Sequence, residues 1–273
     1  MIFPMQEIIH FYSQYSDDER LTRGLGELEF ARSKEIILRH LPRAVRTVLD
    51  VGGGTGVYAE WLAALGHRVH LIDITPSHIT TARAKRTSLA SAEIGDARSL
   101  TWPDASVDAV LLLGPLYHLV ETADRVLALR EAKRVLRPGG LVFAAAICRF
   151  APLLASLVEG YFDDPLFGSV LDRDLKDGHH RNTTGDPKRF TTAYFHRPEE
   201  LIAEIGSAGL DLIELVAVEG PCWMATGSQA KFIECWSDEA RRTRLVDLAR
   251  NVEHDPMALS VSPHVMAVGH ASP

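Results

Sequence analysis

Apolar and β-branched residues gather along the chain in short runs at 47–51, 68–72, 107–113 and 141–147, each bounded by turn-forming residues. Runs of that length, mostly free of polar side chains, predict strands buried on both faces of a sheet. Between them the spacing becomes helical. Residues 57–65 carry Ala59, Leu62, Ala63 and Leu65 and stop at Gly66, while 122–136 and 198–208 read as further helices, the latter opened by Pro198. A brief strand at 92–94 and later ones at 210–218 and 261–268 complete the pattern, with a charged helix at 237–254 whose Leu245, Leu248, Ala249 and Val252 share a face. Ahead of all these lies a helix with apolar Leu28, Phe30, Ala31, Ile36, Ile37 and Leu38. Strands and helices in alternation predict an α/β fold around a largely parallel sheet.

The turn after the first strand is the most specific local signal. Val48-Leu49-Asp50-Val51-Gly52-Gly53-Gly54-Thr55-Gly56 leads from strand to helix, and its glycines let the backbone turn sharply and approach a ligand. Asp73 follows Gly56 by 17 residues at the end of the next strand, near the ~20 expected of a carboxylate that accepts from ribose hydroxyls. In a parallel sheet both features face the crevice at the carboxyl ends of the strands. A dinucleotide fingerprint, G-x-G-x-x-G, needs glycine or alanine where Val57 stands, and a phosphate-cradling loop needs a Lys that is absent here. The pattern D-x-G-x-G-x-G instead resembles motif I of the class I S-adenosylmethionine (SAM) methyltransferases.

That resemblance continues in order from about residue 47 to 147. Gly95-Asp96-Ala97 matches the place where the family's strand-end acid bonds the adenine amino group. Gly114-Pro115-Leu116-Tyr117-His118-Leu119 resembles the segment lining the methionine part of the cofactor, and R-V-L-R-P-G-G-L-V-F resembles the family's entry to strand 5. The resemblance implies SAM as cofactor and S-adenosylhomocysteine as product, held by Asp50, Gly52, Gly54, Gly56, Asp73, Ile74, Asp96, Ala97, Leu113 and Gly114. It also implies a Rossmann-like fold: a mostly parallel seven-stranded sheet with an antiparallel last strand and helices on both faces. The chain would then divide into an N-terminal helical lid (1–45), a SAM-binding core (46–149), an inserted substrate lid (150–196) and the rest of the core (197–273).

Composition narrows the acceptor. A formal net charge of −7 gives no basic footprint for nucleic acid or an anionic membrane surface, and Gly114-Pro115-Leu116-Tyr117 stands where base amino methyltransferases carry N-P-P-Y. Cys148, Cys222 and Cys235 are odd in number and lack C-x-x-C spacing, so they predict neither a disulfide framework nor a zinc knuckle. No signal-peptide pattern opens the chain and no window approaches ~18 apolar residues, which predicts a cytoplasmic enzyme, monomeric or homodimeric, with a small-molecule partner.

Substrate choice is expected from the extra segments. In small-molecule methyltransferases resembling this chain the N-terminal helix closes over the cofactor, and a Tyr ring offers its negative face to the sulfonium. Tyr12 and Tyr15 are the candidates, Tyr12 beside the acceptor together with Tyr117, and Tyr15 beside the cofactor; Arg32 would meet the methionine carboxylate or be an ordinary helix charge. In the insert, His179 and His180 point to opposite sides of an extended chain and so cannot readily share one metal ion, and no metal is predicted. Thr192, Tyr194 and His196 alternate onto one face, either a pocket wall or a packed connector. Trp223 is a pocket wall or a core residue. His118, His180 and His196 are the candidate bases, with Tyr194 as an orienting donor, for an acceptor that must lose a proton; His118 is otherwise an orienting or packing residue beside the cofactor. The resulting expectation is methyl transfer to an O, N or C atom of a small organic molecule, in the bacterial secondary-metabolite branch. SAM cyclisation or cleavage and a non-enzymatic SAM-binding role stay open.

Overall fold

A computed structural model describes residues 4–14, 20–85, 88–183, 189–224 and 229–272. Seven strands form one sheet: β1 (Thr47–Val51), β2 (Arg68–Asp73), β3 (Ser91–Ile94), β4 (Val107–Leu112), β5 (Leu136–Ile147), β8 (Asp211–Ala217) and β9 (His264–His270), in the order β3-β2-β1-β4-β5-β9-β8. The pairs from β3 across to β5 are parallel, and β9 runs antiparallel to both neighbours. β6 (His179–His180) and β7 (Ala193–Tyr194) pair separately as a small antiparallel ribbon.

The apolar runs are buried twice because successive side chains go to opposite faces. Val48, Leu111 and Phe143 pack into one core with α2 (Leu25–His40), α3 (Val57–Ala64) and α4 (Pro76–Ala84). Their neighbours Leu49, Val110, Leu112, Val142 and Ala144 pack into the other, with α5 (Thr122–Val135) and α8 (Pro198–Ser207). With both faces covered, the carboxyl ends of β1, β2 and β4 are left as the place for a crevice.

Three elements differ from the sequence expectation. The strand expected to begin after Arg137-Pro138-Gly139-Gly140 instead runs through these residues. Its ladder with β4 slips between Val107 and Ala109 while Gly139 adopts φ +75°, so the Pro-Gly step is absorbed as a bulge. The charged helix expected over 237–254 is the shorter α10 (Glu239–Asn251), started where the Asp238 carboxylate caps the Arg241 amide, and a separate helix, α9 (Gln229–Ser237), ends just before it. Val261 ends a short helix, α11 (Pro256–Val261), started by Asp255 and Pro256, so β9 begins only at His264. Outside the sheet, α1 (Pro4–Gln14) precedes α2, and the insert after β5 contains α6 (Ala151–Glu159), α7 (Pro165–Asp177) and the β6–β7 ribbon. Among the described residues no helix is long and apolar enough to cross a membrane, and all three cysteines are free and buried.

Candidate active site

A cavity with about 1060 Å³ of space unfilled by atoms, part of it open to solvent, lies at the carboxyl ends of β1, β2 and β4. Its floor is the glycine loop. Gly52 and Gly54 hold φ of +69° and +60°, a region L side chains rarely adopt, and a Cβ on Gly52 would come within 2.7 Å of Pro115 Cδ. Gly114 presses equally close, its hypothetical Cβ 2.7 Å from the Gly52 carbonyl. A side chain at either crossing would push the loop away from the segment after β4.

Two acids anchor this floor in opposite electrostatic states. Asp73 accepts from the Gly54 amide (2.9 Å), the Thr75 amide (2.8 Å) and His78 Nδ1 (3.1 Å). Burial would raise its pKa, but His78 and the two amides outweigh burial and hold it below the usual carboxylate range. Asp50 is just as buried, yet neither of its oxygens closes a hydrogen bond. Burial, followed by repulsion from Asp73, pushes it up to about 7, and the Ala59 amide offsets this only in part. An unpartnered buried carboxyl on the cavity wall is suited to a cationic ligand. Asp96 and Ala97 form the far wall, with the Asp96 carboxylate gripped by Arg98 at 2.6 Å and Arg98 in turn tied to Asp124 at 2.9 Å. Burial opposes ionisation of Asp96, and Arg98 overcomes it, leaving its pKa lowered.

This donor set fits SAM. Glycine amides with an ionised carboxylate suit hydroxyl groups such as those of a ribose, the Asp96–Ala97 segment offers an acid and backbone groups of the kind an adenine would need, and an uncompensated buried acid favours a cation. Asp50, Gly52, Gly54, Asp73, Ile74, Asp96, Ala97, Leu113 and Gly114, all expected at the cofactor from sequence, line the one cavity. Gly56 does not; at φ +94° it starts α3 behind the loop.

The opposite wall joins His118, from the 3-10 turn after β4, to Tyr12 of α1. His118 Nδ1 lies 3.3 Å from the Thr192 carbonyl and Nε2 lies 2.9 Å from the Tyr12 hydroxyl. A carbonyl only accepts, so Nδ1 carries the proton, and Tyr12 donates to a bare Nε2. Burial lowers the His118 pKa to about 4, against smaller opposing effects of the Thr192 bond and the Asp73 charge. The ring is therefore neutral throughout the physiological range, with an acceptor nitrogen on the cavity side. Tyr117 stands beside it, ring centroids 4.7 Å apart, and Ile8, Leu21, Leu113 and Leu119 make the rest of this wall apolar.

Other residues singled out from sequence lie outside this lining. Arg32 is fully buried, donating to the Val218 carbonyl and paired with Glu35 and Glu253. His180 engages Asp174 Oδ2 and the Arg189 carbonyl, each at 2.8 Å. Tyr194 and His196 do share a face, with ring centroids 4.8 Å apart, but that face packs on Arg125, Arg149 and Glu204. Trp223 is buried and donates to the Val261 carbonyl at 3.0 Å. Tyr15 lies outside the described residues.

Two basic cavity residues escaped the sequence reading. His78 reaches back from the first turn of α4 to Asp73, and its buried Nε2 has no partner. The signal was its position, one helical turn beyond the strand-end acid. Arg20 also lines the cavity, held on both guanidinium nitrogens by Glu29. Glu29 in turn sits with Glu219 and His264, their nearest ligating atoms within 4.8 Å of one another, in a hydrogen-bonded charge cluster closed by the 2.7 Å His264–Glu219 contact.

Comparison with known proteins places the chain among methyltransferases. A family model described as a methyltransferase domain matches residues 49–144. An uncharacterized methyltransferase of Mycobacterium bovis is 33% identical over 67% of this chain and 68% of its own length. A ubiquinone/menaquinone biosynthesis C-methyltransferase of Acidiphilium cryptum is 37% identical over 42% of this chain, and the match spans only 48% of that relative. Among solved structures, a SAM-dependent methyltransferase of Methanosarcina mazei shares the fold at 18% identity, with a TM-score of 0.58 over 87% of this chain and 97% of the other.

Proposed function

The chain belongs to the class I SAM-dependent methyltransferases, and we propose that it methylates an acidic hydroxyl, or an acidic carbon, of a small uncharged acceptor. The observation that carries this reading is the Tyr12–His118 pair on the cavity wall. SAM, when bound, supplies a methyl group already activated on a sulfonium. What remains for the protein is to align the acceptor, exclude water and remove its proton.

His118 Nε2 takes that proton, directly or in exchange for the proton of the Tyr12 hydroxyl, as the acceptor atom receives the methyl group. A nitrogen titrating near 4 is always free to accept but gains little by doing so. Such a base suits phenols, enols and carbons beside two carbonyl groups better than simple alcohols. Ile8, Leu21, Leu119 and Tyr117 favour an apolar, flat molecule, in keeping with the secondary-metabolite branch. The C-methyltransferase named for quinone biosynthesis among its relatives fits the carbon-acid half of the proposal.

The test is turnover with SAM and a panel of phenols, enols, amines and carboxylates, with products read by mass spectrometry. S-Adenosylhomocysteine and a methylated phenol or enol are expected, and His118→Gln should lower kcat about 100-fold with S-adenosylhomocysteine affinity held within about threefold. Methylated amines or carboxylates formed without regard to His118 would favour an acceptor that needs no base. Methylthioadenosine as the product would replace methyl transfer by SAM cleavage or cyclisation.

A further inference from the structure

The insert meets His118 through the short stretch from Phe190 to Thr192, and that stretch is held by residues outside the cavity lining. Asp174 on α7 is wholly buried, with Oδ2 2.8 Å from His180 Nδ1. The other ring nitrogen of His180 donates to the Arg189 carbonyl at 2.8 Å. One residue on, the Asn182 amide donates to the Phe190 carbonyl, also at 2.8 Å. Between these two clamps Phe190 holds φ of +67°, a backbone conformation that a bulky residue keeps only when its surroundings impose it. Its ring lies 5.6 Å from that of His118 and 6.1 Å from that of Phe11 on α1. Two residues later comes the Thr192 carbonyl that accepts from His118 Nδ1.

We propose that Asp174 and His180 are positioning residues for the active-site base: they fix the 189–192 backbone so that the Thr192 carbonyl selects the His118 tautomer whose Nε2 accepts. This rests on the reading of His118 as proton acceptor. An imidazole takes whichever tautomer its hydrogen bonds dictate. Were the carbonyl to move away, His118 Nδ1 would lose its hydrogen-bond acceptor among the described residues, and a proton on Nε2 would turn the acceptor into a donor facing Tyr12. The buried pair therefore acts on the chemistry through a backbone carbonyl rather than through the acceptor molecule.

The experiment is nitrogen-15 NMR of the whole protein with labelled histidine, run beside steady-state kinetics. Wild type is expected to show His118 protonated at Nδ1 and bare at Nε2. In His180→Leu the Nε2-protonated form should appear, with kcat falling about tenfold and KM for SAM unchanged within about twofold. Asp174→Asn with His180→Gln rebuilds a donor–acceptor chain to the Arg189 carbonyl, and should restore the wild-type spectrum and turnover to within about threefold. If His180→Leu does not fold, Asn182→Ala loosens the same stretch from its other clamp and should shift the tautomer in the same sense. A folded His180→Leu or Asn182→Ala protein with unchanged His118 signals overturns the proposal, as does a folded double variant that restores neither. If the tautomer follows His180 while His118→Gln leaves turnover intact, the base assignment fails and the positioning pair stands.

Discussion

The two halves of the cavity are made in different ways. The cofactor half is one continuous piece of the sheet's edge: a glycine loop, two strand-end acids and the segment after β4, held mainly by contacts between adjoining strands and turns. The acceptor half is assembled from α1, the turn after β4 and the insert, and its closing bonds join residues 106 and 74 positions apart in sequence. The first half is set by local backbone geometry and the second by which distant side chains happen to meet. A family can therefore keep the one while changing the other, and the methyltransferase-domain model matches residues 49–144, which contain the glycine loop and the acids Asp50, Asp73 and Asp96.

Mutations should separate the halves. The largest effect is expected at Asp73, whose carboxylate both organises the Gly54 amide and would accept from the ribose. Asp73→Ala should weaken S-adenosylhomocysteine binding about 100-fold or more in calorimetry, the loss of two charge-assisted hydrogen bonds. An affinity within a few-fold of wild type would break the division at its strongest point.

Next comes Asp50, which sharpens the electrostatic side of the comparison. Its pKa in the folded chain is pushed up to about 7, above its ordinary value, so the stability it contributes is complete below that ordinary value and is lost as pH rises through about 7. A bound cation would favour the ionised form. SAM binding near pH 7 should therefore release protons, and affinity should rise with pH up to that point and then level off. Calorimetry in buffers of different ionisation heat measures the proton count, and Asp50→Asn should abolish the release. A count that does not change in the variant would place the cation elsewhere.

The smallest effect is expected outside the cavity. Tyr194 receives a bond from Arg149 at 3.2 Å and lies under Arg125, with its hydroxyl away from the cavity lining. Tyr194→Phe should cost about 1 kcal/mol in denaturant melts and leave kcat within about twofold. A large loss of kcat would draw the insert's second face into the acceptor half.

The same division explains what could be read from sequence. Asp50, Gly52, Gly54, Asp73 and Asp96 were legible as residues of one crevice because a strand–turn–helix unit fixes where its own residues go, and the mostly parallel sheet with its antiparallel last strand came from the family resemblance. His118 was legible as the residue after a strand-end segment that faces the crevice. Arg32 and Trp223 were singled out as a cation and an aromatic ring, but their pattern carries no information on which side of the sheet edge they turn, and packing sent both inward. The spacing of Tyr194 and His196 gave their shared face and not its partner, since Arg125 and Arg149 come from separate elements. Asp238 fell at the expected start of the charged helix and caps it, whereas α9 ahead of it carried no signal that was read; the bulge at Gly139 was a turn signal absorbed by a ladder.

The most direct test is a crystal structure of the protein with S-adenosylhomocysteine bound. The sulfur should face the Tyr12–His118 wall, with the ribose on Asp73 and adenine beside Asp96 and Ala97. A ligand seated with its sulfur turned away from His118 would contradict the account.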